Sequence, residues 1–87
     1  MTLVERIETA QALWTMAMPT IPVPPSQTFV TWLMRYDDSL MEIGIARTAE
    51  KMRWKSDNKI EIEETDAARY CTSIMRHKTE QQERTQR

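Results

Sequence analysis

Four stretches of the chain repeat apolar residues at three- and four-residue steps, the period of an amphipathic helix. In the first, Thr2 to Met18, the residues Leu3, Ile7, Ala10, Leu13, Trp14, Ala17 and Met18 form one stripe. Thr2-x-x-Glu5 has the form of a capping box, in which each side chain takes a backbone N–H at the helix start. Pro19, Pro22, Pro24 and Pro25 stop this helix, because each lacks an N–H and turns its predecessor away from helical geometry. Residues 19–25 therefore read as an extended, semi-rigid linker, with docking in a proline-recognising groove as the alternative use.

A second helix is predicted over residues 26–36, starting at Ser26 with Phe29, Val30, Leu33 and Met34 on its apolar face. Asp37, Asp38 and Ser39 are N-cap candidates for a third over 39–54, where negative charge suits the positive end of the helix dipole. Its stripe is the most regular of the four: Leu40, Met41, Gly44, Ile45, Thr48, Ala49 and Met52 pair at four-residue steps. Glycine costs a helix ~1 kcal/mol against alanine, so Gly44 within that stripe predicts close approach by a neighbouring helix, the alternative being a kink.

Lys59-Ile60-Glu61-Ile62-Glu63 alternates like a strand but has no evident partner, so residues 55–64 are expected to form a charged loop that pins Ile60 or Ile62 onto the core. Thr65 or Asp66 can cap a fourth helix, 65–79, with Ala67, Tyr70, Cys71, Ile74, Met75 and the aliphatic stem of Lys78 inward. From Lys78 to Arg87 no residue is apolar, which predicts a frayed, solvated end. The expected fold is all-α, a small bundle of about four helices in one domain. Its parts are an amphipathic helix (1–18), a proline linker (19–25), a helical core (26–79) and a polar tail (80–87).

Length changes the functional picture more than composition does, since 87 residues leave room for one core and not for a large substrate cleft. A content of 40% hydrophobic and 29% charged residues with one glycine is that of a chain that folds. The single cysteine cannot form an internal disulfide and suits a reducing compartment. No run approaches the ~18 apolar residues of a membrane span, and the acidic start with Glu5 and Glu8 is unlike a basic leader, so a cytoplasmic location is expected. Charge is unevenly spread: residues 55–66 hold two lysines against five acids, and residues 67–87 hold five Lys/Arg against two glutamates. That asymmetry is far weaker than the basic face of a typical nucleic-acid-binding domain.

The residues for catalysis are poorly arranged. Asp37/Asp38 and Glu63/Glu64 are adjacent pairs at helix starts, where capping accounts for them. Cys71 and His77 lie six residues apart on one helix, roughly 120° away from a shared direction. With one histidine, one cysteine and a lone mid-helix glycine, neither a metal site nor a phosphate-cradling loop is expected. The expectation is a protein without catalytic residues, metal or cofactor. Seven methionines suit an adaptable partner groove or plain core filling, and the spacings of Met34, Met41, Met52 and Met75 favour the core. Of Trp14, Trp32 and Trp54, at least one is expected to stay partly exposed. The Leu3/Ile7/Leu13/Trp14 stripe is the candidate partner surface; it needs cover from its own bundle or from a second copy, and a homodimer is expected.

Three runs resemble a known family: Phe29-Val30-Thr31-Trp32-Leu33 with Tyr36, then Leu40-Met41-Glu42-Ile43-Gly44-Ile45-Ala46-Arg47-Thr48-Ala49, then Tyr70-Cys71-Thr72-Ser73-Ile74-Met75. Over about residues 27–78 the chain resembles the C-terminal helical module of the DnaD-like replication proteins. That module has an apolar W/L helix, a helix of the form L-I-x-x-A-I-x-x-A, and a closing helix Y-x-x-x-I-L-x-x-W. The closing tryptophan falls at Lys78, and the loop Asp57–Glu64 has no counterpart. The resemblance implies a non-enzymatic accessory module of DNA replication or nucleoprotein assembly, from a bacterium, phage or mobile element. It also implies a core Tyr70, and basic positions at Arg69, Arg76 and Lys78. With Arg84 and Arg87 from the end of the chain, these residues are the candidate nucleic-acid contacts, expected to bind weakly and without sequence preference. The alternative is a small adaptor or inhibitor of the phage or mobile-element kind that occupies a partner protein's surface.

Overall fold

The computed structural model describes residues 1–85, and four helices build an all-α bundle: α1 (Leu3–Ala17), α2 (Ser26–Arg35), α3 (Asp38–Asp57) and α4 (Asp66–Thr85). Thr2 caps α1: its hydroxyl accepts the Glu5 N–H at 3.2 Å and donates to the Glu5 carboxylate at 3.2 Å. Asp37 does the same for α3, its Oδ1 accepting the Leu40 N–H at 2.7 Å. Asp38 turns instead to α1, where Arg6 Nε stands 2.9 Å from its Oδ1. Ser26 is not a cap. Pro25 holds that position, Ser26 is the first helical residue, and its hydroxyl accepts from Gln11 Nε2 at 3.3 Å.

An aromatic triangle joins α1 to α2. Trp14 stacks on Trp32 with centroids 6.2 Å apart, and Phe29 meets both edge-on at 6.3 and 5.3 Å. Such pairs add about 0.5–1.5 kcal/mol each beyond their buried area. Trp32 also ties in α4, donating from Nε1 to Thr72 Oγ1 at 2.9 Å. Trp14 Nε1 is buried with no hydrogen-bond partner among the described residues. The first helix packs on its own bundle here, with Ala10, Trp14 and Met18 buried.

Gly44 sets the distance between α3 and α4. A Cβ there would stand 2.9 Å from Met75 Cγ and 3.2 Å from Cys71 Sγ, so the glycine serves close approach, and α3 runs through it as one helix. One turn on, buried Thr48 donates its hydroxyl to the Gly44 carbonyl at 2.6 Å. α3 ends in a Schellman motif: Lys59 has φ 58°, its N–H bonds Ser56 O at 3.1 Å, and the Ile60 N–H bonds Lys55 O at 2.8 Å. Residues 60–63 form no strand; Ile62 packs on the core and Ile60 stays exposed. Asp66 opens α4 and closes the loop by accepting the Glu63 N–H at 2.8 Å, with Lys55 Nζ at 3.5 Å. That N–H is the main reason its carboxyl titrates below the ordinary 3.8; burial opposes it, and the Lys55 and Arg69 charges add to it.

Four expectations are corrected. α3 runs three residues beyond 54, to Asp57. α4 continues to Thr85 instead of fraying after 79: residues 78–84 are mostly strong helix formers, and Thr79 back-bonds to Met75 O at 2.9 Å. The side chains of 80–84 are exposed, so the end is solvated but helical. Met34 is 77% exposed, because it lies about 200° around α2 from buried Trp32. Tyr70 is half-buried at the core's edge, not within it. Arg87 lies outside the described residues. Among the described residues no helix is long and apolar enough to cross a membrane.

Candidate functional site

Three surfaces carry chemistry that the core does not consume. The first is the N-terminal half of α1. Its apolar stripe holds the buried residues Ala10, Trp14 and Met18, and its exposure rises toward the helix start: Ile7 is half-buried and Leu3 is 42% exposed. Leu13 is half-buried and lines a concavity of about 240 Å³ with Ala10, Leu33 and Met41, edged by the Arg6–Asp38 ion pair and Glu42. Trp14 is fully buried against Phe29 and Trp32, so it holds the fold and offers a partner nothing. Val4, 63% exposed, and Met1, 82% exposed, extend the open patch. Val4 lies off the stripe, and no pattern in the sequence marks it.

The second surface is the outer ridge of α4. Helical phase sets Arg76 about 20° and Arg84 about 60° from Arg69, all three exposed, whereas Lys78 stands about 180° away and is half-buried. Of the five candidate cations the structure thus brings three onto one ridge and turns Lys78 inward, while Arg87 lies outside the described residues. Among the described residues these arginines form no ion pair. Glu80 and Glu83 share the ridge, within about 40° of Arg69, and dilute its charge.

The third surface, not anticipated from the sequence, is the outer side of α3. Trp54 is the exposed tryptophan, at 51%, with Lys51 Nζ 4.4 Å from its ring centroid. Ile43 is exposed on the same side, and Arg47, Glu50 and Lys51 border a concavity of about 420 Å³ against Tyr70. The spacing of Ile43, Arg47, Glu50 and Trp54 was available as a signal, but the denser inner stripe of the same helix obscures it.

Cys71 and His77 stay apart: the thiol is buried beside Gly44 and the imidazole is exposed, near the Gln81 side chain. Burial pushes the Cys71 thiol up to about 11. The thiolate needed for nucleophilic or metal chemistry is scarce at neutral pH. No protein-family model, curated protein or solved structure matches the chain, so the likeness to the DnaD-like module rests on the residues quoted above.

Proposed function

We propose that this chain is a non-enzymatic helical docking module that contacts a partner protein through the first turns of α1. The observation that carries this reading is the exposed start of the α1 stripe: the same face that buries Ala10 and Trp14 leaves Leu3 42% exposed, with Val4 and Met1 also exposed. Full burial of an exposed aliphatic side chain contributes about 1.5–3 kcal/mol, of which Leu3 and Val4, 42% and 63% exposed, have about half left to gain from a partner. Glu5, Glu8 and Glu42, all exposed, give the surroundings a negative charge. The partner surface that fits is an apolar patch rimmed by lysine or arginine.

Two biological settings share this contact. One is a small adaptor or inhibitor that works by occupying the partner's surface. The other is the replication or nucleoprotein-assembly role implied by the DnaD-like resemblance, supported by the alignment of Arg69, Arg76 and Arg84 on one ridge. Three phosphate contacts give weak, sequence-independent binding with a log–log salt slope near ~−2 to −3.

The test of the docking reading is co-purification from cells of the source organism with wild type and with Leu3→Asp/Val4→Asp. A partner held by wild type and lost by the double variant, at unchanged thermal stability, supports it; equal capture by both refutes it. A salt titration of fluorescent single- and double-stranded oligonucleotides separates the settings. Low-salt binding that is lost in Arg69→Glu/Arg76→Glu favours the assembly role, and no binding at low salt leaves the adaptor.

A further inference from the structure

We infer that the outer face of α3 is a self-complementary seam through which two copies of this chain pair antiparallel. Ile43, Arg47, Glu50 and Trp54 recur at steps of four, three and four, the a/d rhythm of a two-helix contact. They fall within about 60° of one another around the helix, and the centre of that arc lies about 90° from Gly44, 130° from Thr48 and 170° from Met52. Their exposure agrees with the phase: Ile43 is 42% and Trp54 51% exposed, and Arg47 and Glu50 are exposed with no ion pair among the described residues.

The order of these four residues selects the occupant. The midpoint between Arg47 and Glu50 is also the midpoint between Ile43 and Trp54. A two-fold axis through that point, with the helices antiparallel, sets Ile43 against Trp54 of the second copy and Arg47 against Glu50 of the second copy. Both pairings occur twice, apolar against apolar at the ends and opposite charges at the centre. A parallel pairing would set Arg47 against Arg47 and Glu50 against Glu50, which is repulsive. In the antiparallel arrangement the flank adds no like-charge clash, since exposed Arg53 comes alongside exposed Ala46 of the second copy. Lys51, over one face of the Trp54 ring, orients the indole and leaves its other face for the seam. One three-turn seam is a small interface, so the dimer is expected to dissociate on dilution through the micromolar range.

This surface is separate from the α1 patch, and the experiment tests it separately. Sedimentation velocity of the full chain at low salt, over a concentration series, should show a monomer–dimer equilibrium. Arg47→Glu and Glu50→Arg should each weaken association roughly tenfold or more by placing like charges in contact. The double variant Arg47→Glu/Glu50→Arg should restore dimers, and an equimolar mixture of the two single variants should form heterodimers. Trp54→Ala should be monomeric with its melting temperature unchanged, which separates loss of the seam from loss of the fold. A wild type that stays monomeric throughout, single reversals without effect, or a double variant as weak as the singles overturns the inference. Dimers lost on Leu3→Asp but not on Arg47→Glu would assign association to α1 and overturn it as well.

Discussion

Gly44→Ala sets two effects of known size against each other. Replacing a mid-helix glycine by alanine gains about 0.8–1 kcal/mol of helix propensity. Against that, the new methyl would stand 2.9 Å from Met75 Cγ and 3.2 Å from Cys71 Sγ. Carbon–carbon contact is favourable only from about 3.5 Å outward. Both neighbours are fully buried, and Cγ is one bond from Met75 Cβ, so relief requires a new χ1 or a shift of α4. Overpacking of this kind costs about 1–3 kcal/mol, leaving a net loss of about 0–2 kcal/mol. In a domain of this size each kcal/mol moves the melting temperature by about 4–8 °C. Because that range touches zero, a double-mutant cycle decides the matter. Met75→Ala removes the obstructing Cγ and leaves only the 3.2 Å approach to Cys71 Sγ, so in that background Gly44→Ala should recover most of the overpacking cost. Ala46→Gly, on the exposed side of α3, calibrates the propensity gain in place. Urea melts of the four proteins should give a coupling energy of about 1 kcal/mol or more; additivity within about 0.5 kcal/mol would refute the steric argument.

The Cys71 thiol, raised by burial from its ordinary 9.0 to about 11, makes stability complete below pH 9 and progressively lost as pH climbs from 9 to 11. The loss is about 2–3 kcal/mol over that window, and Cys71→Ala should flatten the alkaline decline in denaturant melts; parallel declines in the two proteins would rule the account out. Lys59 holds a left-handed C′ conformation at φ 58°, so Lys59→Gly should raise stability by about 0.5–1 kcal/mol, and a lower melting temperature would contradict this. Asp66 has its pKa lowered by the Glu63 N–H, so its contribution is present above its ordinary 3.8 and lost as pH falls through the depressed value. Asp66→Asn should therefore show a shallower loss of stability on acidification than wild type, read from thermal melts below about pH 4.

The parts of the fold that are legible in the sequence rest on local causes. Thr2 and Asp37 accept N–H groups three residues ahead, four prolines interrupt one stretch, and a lone glycine falls within an apolar stripe. Each acts within a turn or two of chain, and each is where its type predicts. The misplaced features depend on something further away. Absence of apolar residues after Lys78 predicts exposure, which is correct for residues 80–84, but exposure does not end a helix built from Glu, Gln and Arg. In α2, Phe29, Val30, Trp32, Leu33 and Met34 cover most of the circumference of a ten-residue helix. Periodicity cannot choose the buried side there; the stack of Trp14 on Trp32 does.

The same distinction governs the candidate surfaces. A stripe identifies which side of a helix is apolar and says nothing of how far its cover extends, so Leu3 and Trp14 read alike although one is open and the other sealed. The α4 cations separate by phase alone: nine residues between Arg69 and Lys78 are two and a half turns, which already opposes them before any packing is known. The α3 seam needs both kinds of information. Its spacing is written in the chain, but the helix also carries Leu40, Met41, Ile45, Thr48 and Met52, and any apolar residue near them reads as more core. Once Gly44 draws α4 against that inner side, the core is closed, and Ile43 and Trp54 remain outside it. Two apolar residues stranded on a solvent face usually need no explanation. These two bracket an unpaired arginine and glutamate in mirror order, and a second copy of the helix is the partner that pairs all four at once.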